Sequence, residues 1–458
     1  MDESLKARIA GKMKIGGVAG PAITAFLGAV AKVAAGETGQ VSESAIDPAA
    51  ELPRFETLPD AGTGDWLNQL VLVKLNGGLG TGMGLDRAKS LLPIKGQKNF
   101  LDFIARQVIA QRERAPNLAF YLMNSFSTQH DSLEYLERYS SLARDGQLDF
   151  LQSKVPKLDA KTLEPVSWPA DPDLEWCPPG HGDLYPSLLG SGLLDRWLER
   201  GLKFLFVSNA DNLGATVDLR LLSSFAQSGL SFLMEVTERT AADRKGGHLA
   251  RRKSDGRLLL REAAQCPKAD ELAFQDIERH RYFNTNNLWI RLDHLRDELQ
   301  RQGGALPLAL ITNHKTVDPR KSESPRVLQL ESAMGSAIEC FAASGAMVVP
   351  RTRFAPVKST ADLLALRSDA YVETDDFRLV LAPARRGRPP VIELDSHYKM
   401  LADFDNGFPD GAPSLVDCDS LKVSGSLKFS SGIVCRGQVE FTNPGSETLP
   451  VKPGVYGS

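Results

Sequence analysis

The stretch Leu75-Asn76-Gly77-Gly78-Leu79-Gly80-Thr81-Gly82-Met83-Gly84, with Lys89-Ser90 just beyond it, carries the residue types most suited to chemistry. The apolar run Val71-Leu72-Val73 feeds straight into five glycines. Glycine lets backbone N–H groups turn toward a phosphate without a Cβ in the way. A lysine after such a loop supplies a mobile cation. The spacing is neither G-x-x-x-x-G-K-[ST] nor a clean G-x-G-x-x-G, so this is a phosphate cradle of another kind. A flexible surface loop has the same composition. The preceding strand and the following Lys89 favour the cradle.

Other segments carry compatible groups. Phe204-Leu205-Phe206-Val207-Ser208-Asn209-Ala210-Asp211 is an apolar strand ending in a carboxylate. A hard Mg²⁺ beside phosphates takes one or two such oxygens and keeps its waters; a turn-forming aspartate before a helix fits equally well. Cys177-Pro178-Pro179-Gly180-His181-Gly182-Asp183 is a stiff turn whose glycines expose His181, a donor for a phosphate or a ligand ring. No H-x-x-x-H metal pair is present there. Asn284-Thr285-Asn286-Asn287 places amides beside the strand Leu288–Ile290, and amides suit sugar hydroxyls. Val349 to Lys358 holds three cations, Arg351, Arg353 and Lys358, on an extended segment for which phosphate is the natural partner. Leu328 to Ile338 reads as a closely packed helix of small residues with a structural role, and Arg385-Arg386-Gly387-Arg388 as a surface loop. Phosphoryl-type transfer needs charge neutralisation and alignment more than a covalent nucleophile, and no Ser-His-Asp or Cys-His set is evident.

These groups need a scaffold. From Leu70 the chain alternates strand and helix: strands at Val71–Leu75, Phe120–Met123, Phe150–Gln152, Phe204–Val207 and Ser231–Val236, with helices near Phe100–Arg114, Asp131–Tyr139, Leu188–Arg200 and Leu219–Gln227. The stretch directly after the glycine loop also reads as helical. Such alternation predicts an α/β fold with a mostly parallel sheet, whose ligands bind at the carboxyl ends of the strands. Asn76, Asn124 and Ser208–Asp211 fall there. Before it, Ile23, Phe26, Leu27, Val30 and Val33 follow helical spacing. Pro21, several glycines and Lys32 break the run, so it is read as an amphipathic helix on the body rather than a signal peptide or membrane span. In the tail, Leu421, Leu427, Ile433 and Val439 recur every sixth residue, and Val423, Phe429, Cys435 and Phe441 repeat that step. This hexapeptide period predicts a β-helix of about one and a third coils, too short to stand alone, which must lean on the body or on another subunit.

Composition excludes several classes. Of the 458 residues, 54 are Lys or Arg and 57 Asp or Glu, a net charge of -3 that gives no general attraction to nucleic acid or anionic lipid. Five scattered cysteines suggest no metal site or disulfide frame, and predict a reducing, cytoplasmic setting.

In their order, the glycine loop with Lys89-Ser90, Pro179-Gly180-His181-Gly182-Asp183, Asn209 to Gly214, Asn284 to Trp289 and Arg351 to Lys358 resemble the motifs of the eukaryotic-like UTP–glucose-1-phosphate uridylyltransferases, the UDP-glucose pyrophosphorylases. The resemblance runs from about Leu70 to Tyr371, and the tail fits as well. It implies a Rossmann-like mixed-sheet nucleotidyltransferase domain of the GT-A type over residues 70–384, a helical segment over 1–69 and a β-helix over 385–458. It implies Mg²⁺-dependent, reversible reaction of UTP with glucose 1-phosphate, giving UDP-glucose and pyrophosphate. Leu75, Asn76, Gly77 and Gly78 would then hold the nucleotide, Lys89 its phosphates, and Gln152 and Gly180 the uracil. His181, Asn209 and Asp211 would meet the sugar nucleotide, with Asp211 as metal ligand. Asn286 and Asn287 would reach sugar hydroxyls, and Lys358 would neutralise the transferring phosphate. A homo-oligomer through the β-helix is a further expectation. Two departures stand out: Arg87-Ala88 where the family commonly has Gly-Pro before Lys-Ser, and Ala210 where it often has Ser before Asp. The alternatives are another sugar 1-phosphate (of galactose or N-acetylglucosamine), a UDP-sugar-using glycosyltransferase, and a non-catalytic nucleotide-binding module.

Overall fold

The computed structural model describes residues 1–62, 64–143 and 146–458. Two helices, α1 (Glu3–Ile15) and α2 (Gly20–Ala34), pack their apolar faces against the body. Ile9, Met13, Phe26 and Val30 are buried there with Leu328 and Leu330. None of the described helices is long and apolar enough to cross a membrane.

The centre is a ten-stranded mixed sheet. Its middle comprises β1 (Leu70–Asn76), β2 (Ala119–Asn124), β3 (Asp149–Leu151), β4 (Phe204–Asn209), β5 (Phe232–Glu238), β6 (Tyr282–Arg291) and β7 (Ser344–Val348), in the spatial order β3-β2-β1-β4-β6-β5-β7. β3, β2, β1 and β4 run parallel, and β6 is antiparallel to both of its long neighbours. The strands read as continuous apolar runs because both faces are covered. Leu70, Leu72, Phe120, Leu122, Phe204 and Phe206 enter one core, while Val71, Val73, Tyr121, Met123, Leu205 and Val207 enter the other, with the period of two that a strand imposes. Helices α3 (Phe100–Arg114) and α4 (Leu219–Gln227) cover the first face.

Three local expectations are corrected. No helix follows the glycine loop directly. Gly80 and Gly84 take φ of +71° and +76°, tight turns form at Thr81–Met83 and Lys89–Leu91, and a short hairpin precedes α3, which begins only where Asn99 and Asp102 cap it reciprocally. Leu188–Arg200 is not one helix: it breaks at Gly192, φ +69°, into Leu184–Gly190 and Leu193–Glu199. Leu328–Ile338 is not a helix but a strand, Arg326–Ser332, followed by a 3₁₀ turn, Met334–Glu339. The alternation of Leu328 and Leu330, both buried under α1 and α2, outweighs the small residues that follow.

The tail continues the core of the first face. Phe404, Phe408, Leu415 and Phe429 belong to the same buried cluster as Leu363, Leu364 and Ala370 of the body. Strands Val391–Leu394, Ser414–Ser424, Ile433–Thr442 and Gly454–Gly457 form an all-parallel sheet, and Leu427–Phe429 pairs in parallel with Leu449–Val451. Every member of the two six-residue series is buried except Phe441, which is half-buried. In the segment Arg385-Arg386-Gly387-Arg388 the last three residues are exposed as expected of a surface loop, but Arg385 is 6% exposed and its guanidinium donates to the carbonyls of Leu415, Val416 and Cys418.

Candidate functional site

At the carboxyl ends of β1, β2 and β4 lies a cavity of about 310 Å³, lined by Leu75, Asn76, Gly77, Gly78, Lys89, Ser90, Met123, Gln152, Pro178, His181, Asn209, Ala210 and Asp211. The glycine loop forms one wall. It is closed on itself by the Lys89 N–H, which donates to the Gly78 carbonyl at 3.1 Å. A Cβ at Gly78 would meet nothing within 4 Å, so this backbone faces open space. A Cβ at Gly77 would lie 2.7 Å from Gln152 Oε1, so that glycine is where the Gln152 side chain comes close.

Lys89 and Asp211, 122 residues apart, meet across the cavity at 2.6 Å. The pair is a neutralised cation and carboxylate. Asn209 lines the wall beside them. Asn76 contributes backbone only: its side-chain amide donates inward to Asn124 Oδ1 and Ser132 Oγ, both at 2.8 Å.

The opposite wall is the 178–183 turn. Gly180 takes φ +80°, and a Cβ there would stand 2.4 Å from the Ser332 carbonyl oxygen. Its own carbonyl accepts from Gln152 Nε2 at 3.3 Å. Asp183 ties the turn to the Gln152 segment, accepting from the Ser153 N–H and the Ser187 hydroxyl, both at 2.6 Å. Burial pushes its carboxyl up to about 6. His181 differs from the exposed donor expected of a residue between glycines. Burial lowers it to about 4, and its Nδ1 accepts from the Met334 N–H at 2.9 Å. It is therefore a neutral ring whose proton sits on Nε2, and what it offers the cavity is a neutral donor.

The remaining expected residues lie outside the lining. Asn287 is fully buried, its amide committed to Glu235 Oε2 at 3.0 Å and to the Arg353 carbonyl at 3.3 Å rather than held at the rim expected of a sugar contact. The reason is a break in register between β5 and β6, with Asn286 at φ +58°, which turns Asn287 inward. Asn286 exchanges hydrogen bonds with Asn284 at 2.8 and 2.9 Å. Of the three cations at 351–358, two are already paired: Arg351 with Asp243 and Arg353 with Glu235. Lys358 is exposed, with its ammonium 5.7 Å from the Phe283 ring and 5.5 Å from that of Phe354.

Two groups had no signal in sequence periodicity. Glu262 lies against Gly247, where a Cβ would sit 2.4 Å from its Oε2. Burial raises its carboxyl, while Lys358 and Asn284 pull it down. The glycine pair Gly246-Gly247 was the available clue. Lys74, inside β1, is buried and lowered to about 7 by desolvation, yet donates to Ser208 Oγ and the Ala215 carbonyl, both at 2.7 Å. It clamps the base of the loop that bears Asp211.

A mixed sheet with a glycine loop, a lysine and a lone carboxylate at its strand ends defines a nucleotidyltransferase. A family profile described as UTP–glucose-1-phosphate uridylyltransferase matches residues 24–436. The chain is 38% identical over 440 residues to the UTP–glucose-1-phosphate uridylyltransferase of Solanum tuberosum, covering 94% of this chain and 90% of that protein. It is 40% identical over 375 residues to that of Saccharomyces cerevisiae, covering 81% and 74%. Among solved structures, a mutant of UDP-glucose pyrophosphorylase from Leishmania major in complex with UDP-glucose superposes with a TM-score of 0.94 at 46% identity, covering 99% of this chain and 98% of that one. An enzyme from Trypanosoma brucei described as UDP-glucose phosphorylase gives 0.90 at 47%, with 99% and 98% covered. The chain belongs to the UTP–glucose-1-phosphate uridylyltransferase family.

Proposed function

We propose that this cavity transfers uridylyl from UTP to glucose 1-phosphate, giving UDP-glucose and pyrophosphate. The observation that carries the reading is the Lys89–Asp211 pair facing the glycine loop, with Gln152 and the neutral His181 opposite. The amides of Gly77 and Gly78 and the Lys89 ammonium bind the triphosphate. Gln152 and Gly180 set the uracil. Neutral His181 donates from Nε2, and Asn209 bonds the sugar nucleotide. Lys358 offsets charge on the transferring phosphate, and Asn286 with Glu262 lies toward the sugar. Asp211 would hold Mg²⁺, which when bound neutralises phosphate charge. The donor set suits that ion, because one carboxylate together with phosphate oxygens and water is what Mg²⁺ takes. The described residues form no group of three or more His, Cys, Asp or Glu side chains that could hold a metal ion by themselves.

The sheet is of the GT-A type, and the tail is a β-helix. Support for the latter is the pairing of Leu421 with Val439 and Val423 with Phe441, each 18 residues on, which is three six-residue sides per turn. Val391–Leu394 and Gly454–Gly457 end the tail's four-stranded sheet, and Val391 and Val455 are each 59% exposed. A second copy adds at these edges; a monomer at every concentration in sedimentation overturns that. Five free cysteines fit a cytoplasmic setting.

The deciding assay is a panel of sugar 1-phosphates with UTP, read as pyrophosphate release. Release that requires UTP, glucose 1-phosphate and Mg²⁺ is expected. A preference for galactose or N-acetylglucosamine 1-phosphate redirects the substrate. UDP-glucose consumed only with an acceptor, and no pyrophosphate exchange, overturns the reaction.

A further inference from the structure

Asp211 and Lys358 are 147 residues apart, and each stands in an irregular segment. Yet the two segments are bound into one body. The Val357 N–H donates to the Asp211 carbonyl at 3.4 Å. Asn212 accepts from the Ala355 N–H at 3.0 Å and donates to the Arg353 carbonyl at 3.1 Å. A Cβ at Gly214 would stand 2.3 Å from the Thr352 carbonyl oxygen, so the backbones touch.

Beneath this seam lies Glu235 of β5, fully buried. Its carboxylate accepts four hydrogen bonds: from Arg353 Nη2 at 2.7 Å and Nε at 2.8 Å, from Trp289 Nε1 at 2.8 Å and from Asn287 Nδ2 at 3.0 Å. Arg353 is also buried, and its Nη2 reaches the Thr216 carbonyl at 3.0 Å. One guanidinium thus joins the sheet, the loop after Asp211 and the segment before Lys358. Neither Glu235 nor Arg353 lines the cavity. A bidentate fork over a saturated carboxylate fixes orientation in a way a single contact does not.

We propose that the buried Glu235–Arg353 pair is a positioning device that sets Lys358 relative to Asp211 and so aligns the two charges on either side of the transferring phosphate. This rests on the uridylyl-transfer reading. Arg353 acts through Lys358, so their losses are not additive.

The test is a double-mutant cycle of Arg353→Lys and Lys358→Ala. Arg353→Lys keeps the charge but holds one oxygen instead of two. It is expected to lower kcat about 10-fold with KM for UTP within about twofold, and to cost less than about twofold in the Lys358→Ala background. Equal losses in both backgrounds, or an effect confined to KM, overturn the proposal, since a purely structural pair would act independently of Lys358. Circular dichroism and thermal unfolding check each protein. If Arg353→Lys does not fold, Asn212→Ser, which cuts the seam at Ala355, replaces it in the cycle with the same criteria. If the unaltered protein releases no pyrophosphate, the functional reading falls. The positioning role then falls with it, whereas equal losses in an active enzyme end the positioning role alone and leave the functional reading standing.

Discussion

At the residue scale, chemistry and architecture divide the polar groups differently from sequence. Asp243 and Glu235 take Arg351 and Arg353 in close ion pairs, while Lys358 stays exposed and acts on the Glu262 carboxylate through its charge alone. Lys358→Ala is expected to lower kcat by about 10²–10³, with KM for UTP little changed, as loss of one charge aimed at a transferring phosphate does; pyrophosphate release checks it, and an unchanged kcat refutes it. Asn287→Ala should behave differently: two buried acceptors lose a donor, costing about 1–3 kcal/mol in urea unfolding. His181 makes a third case. Since it is lowered to about 4, the ring stays neutral from pH 5.5 to 8 and contributes no limb to the profile of kcat/KM there. A limb near 6.5 that vanishes in His181→Gln would contradict this. Residue types pointed to Lys89, His181 and Asp211, the family resemblance added Gln152, and all four line one cavity. They did not distinguish Asn286 from Asn287, because that depends on a register break formed between strands 50 residues apart.

At the element scale, continuous apolar runs and 3.6-residue periodicity located β1, β2, β4, α3 and α4 to within a residue or two. The misses were elements whose identity depends on partners: Arg326–Ser332 is a strand because Leu310–Thr316 pairs with it. The turn glycines make separable predictions. Gly180→Ala must fit a Cβ 2.4 Å from a carbonyl oxygen at φ +80°, so both stability and UTP binding should fall. Gly78→Ala, with open space around its Cβ, should keep its thermal midpoint and raise KM for UTP, because the methyl enters ligand volume. A lowered midpoint with normal KM would invert that assignment. Lys74 gives β1 a pH dependence. Its folded pKa of about 7 lies below its ordinary 10.5, so between these values the unfolded chain binds more protons than the folded one. The cost of burying it is full below pH 7 and fades as pH rises, on the order of 5 kcal/mol across the window. The urea midpoint should therefore rise from pH 7 to pH 9.5, and Lys74→Met should flatten that rise relative to the unaltered protein. An equal slope in both would show that other groups produce it.

At the scale of the whole molecule, the six-residue period marked the tail as a separate repeat, but its dependence on the body comes from side chains the period does not contain. Phe408 stacks on Phe429 with ring centroids 4.6 Å apart and also packs on Phe404 at 5.1 Å. Tyr398 offers its hydroxyl to the Gly425 and Leu427 carbonyls, and its own carbonyl accepts from Thr360 Oγ1 at 2.7 Å. Thr360 opens the helix Thr360–Arg367, which follows directly on Lys358 and is capped by Ser359. The tail therefore supports the helix whose N-terminal approach carries Lys358. Phe408→Ala should cost about 3–5 kcal/mol in urea unfolding, the usual loss for a buried aromatic ring. Because the disturbed stack lies under Tyr398, kcat should fall with it while KM for UTP holds, the glycine loop and Gln152 being elsewhere in the cavity wall. Stability loss without any change in kcat would show that the tail merely covers the core. A rise in KM for UTP instead would place its influence on the nucleotide wall, where the contact of Met400 with Gly84, 3.3 Å from that glycine's Cβ position, offers a separate route.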